Sequence, residues 1–293
     1  MSSHSHYHRL KNKWIDRHRN VKNIIWEKHQ DALNWAINSF PAKQLVAGSL
    51  GGMLLLSAPS ITMLPKSPLL LTKEQHAQDL DTDTKLMLDL KGKIPSDVRP
   101  LSLDEEESIA EILTKDFGFR VTSSVHGKKL NRSYGLIGYE QHLVLFPGDT
   151  IYSHFENDGE FQKFSSAGMA PGLSAWRYFA FSKHALTQKD ILREKYYIAV
   201  QTFLAPGFDE HVAEFRNFFK YRKMLVINPE NGKAIVCDIA DAGPSPWTGK
   251  HLGGSPEVMS YLHRVDGAGV GPVLYFFIDD PEDVVSLGPA TIR

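Results

Sequence analysis

The sequence predicts an α+β fold, and three observations carry that expectation. Segments with apolar residues at helical spacing, a recognisable cap, or both lie at residues 102–118, 186–197 and 209–221. Between and after them run short β-branched and aromatic stretches such as YYIAV, KMLVI, AIVCDIAD and GVGPVLYFFID. The chain has 293 residues, 42% of them hydrophobic, which suffices for a sizeable core.

Taken in order, the chain divides into five parts. Residues 1–43 form a basic head, with Arg9, Lys11, Lys13, Arg17, Arg19, Lys22 and Lys28 against Asp16, Glu27 and Asp31. Trp14, Ile15, Ile24, Trp26 and Leu33 among those charges predict an amphipathic helix suited to an anionic leaflet. His4, His6 and His8 are expected in a solvated polar terminus, the competing reading being a metal-binding run. Residues 44–65 carry no charge and are bounded by Lys43 and Lys66. That length crosses a bilayer core of about 30 Å, so the run is expected to be a single transmembrane helix, the competing readings being a buried helix of a soluble domain or a cleaved signal peptide. The head would then stay in the cytoplasm and the C-terminal domain outside it. Residues 66–100 read as a spacer, with a short polar helix over TKEQHAQDLDTDTKLMLDL.

Residues 101–190 form an α/β region without an evident role. Ser102 is the expected N-cap of its first helix and Gly118 the stop. FRVTSSV and YGLIGYEQHLVLFPGD read as strands ending at Pro147-Gly148. If extended, Glu140 and His142 share one face, as do His154 and Glu156, and each pair offers two metal ligands. No third ligand stands at a diagnostic spacing, so neither metal nor cofactor is assigned. SAGMAPGLSAWRYFAFSKHAL predicts a loop leading into an aromatic-rich helix, with Trp176, Tyr178, Phe179 and Phe181 used for packing.

The remainder, residues 191–293, is the strand-rich domain. Thr187 and Asp190 form a capping box ahead of it. Val212, Phe215, Phe218 and Phe219 share a helical face, and NPENGK joins two apolar strands as a hairpin. Cys237, the one cysteine, excludes an intramolecular disulfide and is expected as a small core residue. By the period of two, Ile235, Cys237, Ile239 and Asp241 share a face, which places Asp241 at the mouth of the hydrophobic interior. Asp238, of opposite parity, is expected in solvent. A carboxyl partly withdrawn from water has a raised pKa suited to general-acid work. The competing reading of Asp241 is turn chemistry before Gly243-Pro244.

The stretch NPENGKAIVCDIADAGP, followed by a helix and the strand GVGPVLYFFID, resembles the double-psi β-barrel of rare lipoprotein A-like and expansin-like proteins over roughly Tyr196 to Asp280. The resemblance implies a C-terminal six-stranded double-psi β-barrel, which with the expected span gives a membrane-anchored protein whose barrel is preceded by a small α/β region. It also implies that Asp241 is the acid of a peptidoglycan lytic transglycosylase. The family's Ile-Asp-Leu-Ser is replaced here by HLGGSPEVM, and Phe215 stands about where the family commonly has a His, with His211 one turn earlier.

Around Asp241, the loop residues Trp247, Thr248, Lys250 and His251 supply a stacking surface and hydrogen-bonding groups for a glycan. Glu257 is a candidate second carboxylate, although Ser255-Pro256-Glu257 reads first as a helix start. The expected partners are peptidoglycan or another wall polysaccharide, and the membrane through residues 44–65. The net charge of −1 gives no reason to expect nucleic acid. The alternative function is a non-catalytic cell-wall-binding or scaffold module.

Overall fold

The computed structural model describes residues 73–264 and 270–293. The basic head and the charge-free run at 44–65 lie outside the described residues. Among those described, no helix is long and apolar enough to cross a membrane.

The first helices form where the caps predict them. α1 (Lys73–Leu90) lies in the segment read as a spacer, yet Leu86 and Leu90 are each only 1% exposed. α2 (Leu103–Phe117) starts at a full capping box, with Ser102 accepting from the Glu105 amide and Glu105 accepting in return from the Ser102 amide. It stops at Gly118, which takes the left-handed conformation. Leu86, Leu90, Ile109, Leu113 and Phe117 of these two helices pack against Leu225, Val236, Leu274 and Phe276 from the sheet. Three two-residue strands follow, β1 (Val121–Thr122), β2 (Ser124–Val125) and β3 (Lys128–Lys129).

Six strands then close into a ring: β4 (Tyr134–Tyr139), β5 (Tyr197–Val200), β6 (Lys223–Ile227), β7 (Ala234–Ala242), β8 (Leu252–Gly254) and β9 (Val270–Ile278). β4 pairs with β9, β9 with β6 and β6 with β7, all antiparallel. The ring continues through β7–β5, parallel, and β5–β8, antiparallel, and closes through the parallel pair β8–β4. The result is a closed mixed β-barrel with no free edge among these six strands. β1 extends it from β9, and β10 (Gly288–Ala290) extends it from β7. One stave, β4, comes from the segment 101–190, so the barrel begins well ahead of residue 191.

Strand alternation sets the two sides of the barrel wall. Ile198, Val200, Met224, Val226, Ile235, Cys237, Ile239 and Tyr275 face inward, joined by Phe215, Phe218 and Phe219 of α6 (Val212–Phe219) and by Val258 and Met259 of α7 (Pro256–Tyr261). Cys237 is a buried free thiol in this interior, as its apolar strand predicts. The NPENGK hairpin is present, with Val226 facing Ile235 across β6 and β7.

Candidate functional site

The connection between β4 and β5, residues 140–196, folds over the outer face of β5 and β7. It carries α3 (Ile151–His154), α4 (Asp158–Phe164) and α5 (Gln188–Lys195). α5 starts at the Thr187–Asp190 capping box. Leu143, Ala170 and Phe179 of this excursion pack on Tyr197, Ala199 and Ala240. The expected aromatic helix is absent: residues 174–182 run as a loop, followed by a single 3₁₀ turn at Lys183–Ala185. Trp176 is tied to α6 instead, its indole donating to the Arg216 carbonyl at 2.9 Å.

Asp241 lies beneath this cover, and a register slip puts it there. Ile198 pairs with Ile239, but Ala199 pairs with Asp241, so Ala240 is the extra residue of a bulge. The alternation that carries Ile235, Cys237 and Ile239 inward therefore breaks before Asp241. The acid faces the same side as Ala199, outside the barrel rather than at the mouth of its interior. Its Oδ1 accepts from the Ala175 amide at 2.7 Å and from the Ala242 amide at 2.8 Å. Burial raises its pKa, the two amides oppose that shift, and the charge of Glu140 adds to it.

The loop residues after Asp241 take separate positions. Trp247 is 86% exposed on a 3₁₀ turn, Pro246–Thr248. The Thr248 hydroxyl donates to the Ser245 carbonyl and accepts from the Lys250 amide, so it shapes the loop. Lys250 pairs with Glu140 at 2.7 Å and donates to the Tyr139 carbonyl. His251 accepts from the Leu136 amide through Nδ1 at 2.9 Å, and burial lowers its pKa. Buried Gln201 donates to the carbonyls of Pro244 and Lys250, holding the loop to the barrel. Asp238 is not in solvent as its parity suggests: α5 covers that side, and Arg193 meets its Oδ2 at 3.1 Å.

A second polar cluster lies under the same excursion. His154 at the end of α3 contacts Asp149 Oδ2 through Nδ1 at 2.9 Å and Glu194 Oε2 through Nε2 at 3.1 Å. His142 Nε2 donates to the Phe164 carbonyl at 3.3 Å, and its Nδ1 lies 3.4 Å from Glu194 Oε1, short of hydrogen-bond geometry. Glu194 Oε1 also accepts from the Leu143 amide. All three side chains are buried. Burial alone would lower the His154 pKa, but its bonds to Asp149 and Glu194 prevail and raise it to about 10. Burial works against the Glu194 charge as well, and the two imidazoles outweigh it, holding that carboxyl below its ordinary range.

Glu257 borders this cluster. It follows the cap of α7, where Ser255 accepts from the Val258 amide as the sequence predicts. Burial and the Glu194 charge raise its pKa to about 7, and its Oε2 is buried without a hydrogen-bond partner among the described residues. It lines a cleft of about 610 Å³ together with Glu160, Lys195, Tyr196 and Tyr261.

The extended-strand pairs therefore separate. Glu140 goes to Lys250, and Glu156 is exposed at the rim of a small cavity that His154 and Glu194 also line, while His142 and His154 come together. Glu194, the residue that joins them, is 40 positions from His154, at the end of a helix whose sequence shows only its cap. No protein-family model matches the chain, and no curated protein matches it in sequence.

Proposed function

We propose that the barrel is of the double-psi class and acts on cell-wall glycan strands outside the cytoplasmic membrane, with Asp241 as the general acid of a lytic transglycosylase. The observation that carries this reading is the state of Asp241. One oxygen is fixed by two backbone amides, burial raises the pKa, and the adjoining loop presents Trp247 to solvent. A carboxyl so held has a defined direction and keeps its proton to higher pH than a free one. In the proposed reaction Asp241 gives its proton to the glycosidic oxygen as the bond to the anomeric carbon breaks. A hydroxyl of the same sugar closes on that carbon, and the Asp241 carboxylate takes the hydroxyl proton. The exposed indole of Trp247 supplies a stacking face for a sugar ring.

The test is digestion of purified sacculi with the full chain, followed by mass analysis for anhydro ends. Release by the wild type and its loss in Asp241→Asn supports the reading; equal release by both overturns it. The second reading, a non-catalytic wall-binding module, is favoured by the two amides on Oδ1, which also suit a structural turn acid. In that case sacculus pull-down survives Asp241→Asn and falls with Trp247→Ala.

A further inference from the structure

We infer that His142, His154 and Glu194 form a binding site for one divalent transition-metal ion of the zinc class, with an open fourth position facing Glu257. The donor atoms are His142 Nδ1, His154 Nε2 and a Glu194 carboxylate oxygen, and no two of the three residues' ligand atoms lie more than 4.8 Å apart. His154 Nε2 lies 3.1 Å from Glu194 Oε2 and His142 Nδ1 3.4 Å from Oε1, so the two imidazoles meet opposite oxygens of one carboxylate, each at about the 3.3 Å spacing of neighbouring ligands on an ion with bonds near 2.0–2.1 Å. Two imidazoles and a carboxylate are the donor set of open, catalytic-type zinc sites.

The outer ring of partners argues for the same assignment. A metal-bound imidazole uses one nitrogen for the ion and donates from the other to a carbonyl or carboxylate. His142 donates from Nε2 to the Phe164 carbonyl, and His154 presents Nδ1 to Asp149 Oδ2. Both rings thus turn their remaining nitrogen toward Glu194. His142 Nδ1 in particular is a buried ring nitrogen with no hydrogen bond among the described residues, which is costly unless a partner meets it. Asp149 is itself fixed by the Leu145 amide and the Ser153 hydroxyl, and Phe155 stands edge-on to both imidazoles at 5.0 and 5.2 Å. The fourth position is placed in a small cavity of about 20 Å³ beside His154 and Glu194, lined also by Glu156, Glu160, Lys195 and Glu257, room for about one water. Glu160, Lys195 and Glu257 line both this cavity and the larger cleft, so the two adjoin.

Without an ion, His154 faces two carboxylates and must carry both ring protons, whereas a metal replaces the Nε2 proton. That difference makes the site testable in the intact protein. The full chain is stripped with a chelator, dialysed against Zn²⁺ or Co²⁺, and analysed for bound metal. The expected result is one ion per chain, a rise in Tm with Zn²⁺, and a Co²⁺ visible spectrum that shifts when azide is added to the open position. Glu194→Gln, which keeps an acceptor for the Leu143 amide, should lose the metal, and Asp149→Asn should weaken binding by about 10–100-fold. Nitrogen NMR of the folded wild type reads the site without any variant: loss of the His154 Nε2 proton on zinc addition supports it. The proposal is overturned if folded wild type binds no more metal than Glu194→Gln, or if His154 stays doubly protonated at saturating zinc. A Co²⁺ spectrum indifferent to azide overturns the open fourth position.

Discussion

Ala175 donates its backbone amide to Asp241 Oδ1 at 2.7 Å, joining the loop of the excursion to the end of β7 across 66 residues of chain. The contact has two separable roles, and substitutions divide them. Asn retains an acceptor oxygen at the same place, so Asp241→Asn should cost clearly less stability than removal of the side chain. Ala strands two partly buried amides, so Asp241→Ala should cost about 1–3 kcal/mol. Chemical denaturation of both variants beside the sacculus assay reads the two effects apart.

Arg193 and Asp238 predict a pH dependence. Burial raises the Asp238 pKa to about 6; Arg193 and Lys223 oppose that shift, and Asp283 adds to it. The folded state therefore keeps a proton that the unfolded chain has already released. Stability from this group falls as pH rises from about 4 to about 6, by up to about 3 kcal/mol, and is level above that. Arg193→Met removes the opposing charge, and with it the guanidinium stacked 4.2 Å from the Tyr221 ring. It should cost about 3–5 kcal/mol near pH 7.5 and less at pH 5, where Asp238 is protonated. A loss equal at both pH values would rule this account out.

Gly232 holds the hairpin against α1. Its φ is +74°, and a Cβ built there would lie 2.0 Å from the Asp83 carbonyl oxygen, a backbone atom that cannot swing aside. Gly232→Ala should cost at least about 1–3 kcal/mol and speed amide exchange in α1. Gly92→Ala is the control: its φ is +77° with nothing within 4 Å, so it bears the backbone cost alone and should leave the hairpin untouched.

The topology expectation rests on residues 44–65. Wild-type chain should fractionate with membranes, resist carbonate extraction and expose the residues after Lys66 to external protease. Leu54→Arg should weaken insertion by about 2.5–3.5 kcal/mol. A full chain that stays freely soluble removes the anchor and the wall-facing reading with it.

Local signals carried much of the fold. The caps at Ser102, Thr187 and Ser255, the hairpin around Asn231-Gly232 and the inward set Ile235, Cys237 and Ile239 were legible because each depends on neighbours in sequence. What was not legible depended on distant partners. Asp238 has the parity of an outward residue, but outward is not solvated when α5 lies over it. Asp241 follows a bulge set by pairing with β5, which no spacing within β7 announces. Leu86 and Leu90 sit in a polar helix and read as spacer until the sheet they cover is known. Of the buried cluster, His142 and His154 could be marked, but with the wrong carboxylates, because the chain there is looped rather than extended.

The barrel is completed by β8, a strand of three residues, LGG, and the pairing of Ile137 with Leu252 that it makes spans most of the domain. During synthesis β4 emerges early and must wait for both its neighbours, β8 and β9, which come from the far end of the chain. Until they arrive, both its hydrogen-bonding edges are open templates for other chains. Ring closure through such distant partners is slow, since loop entropy is lost before the contacts form. The vulnerability of this protein therefore lies in its nascent state, at a strand that the finished barrel pairs along both edges.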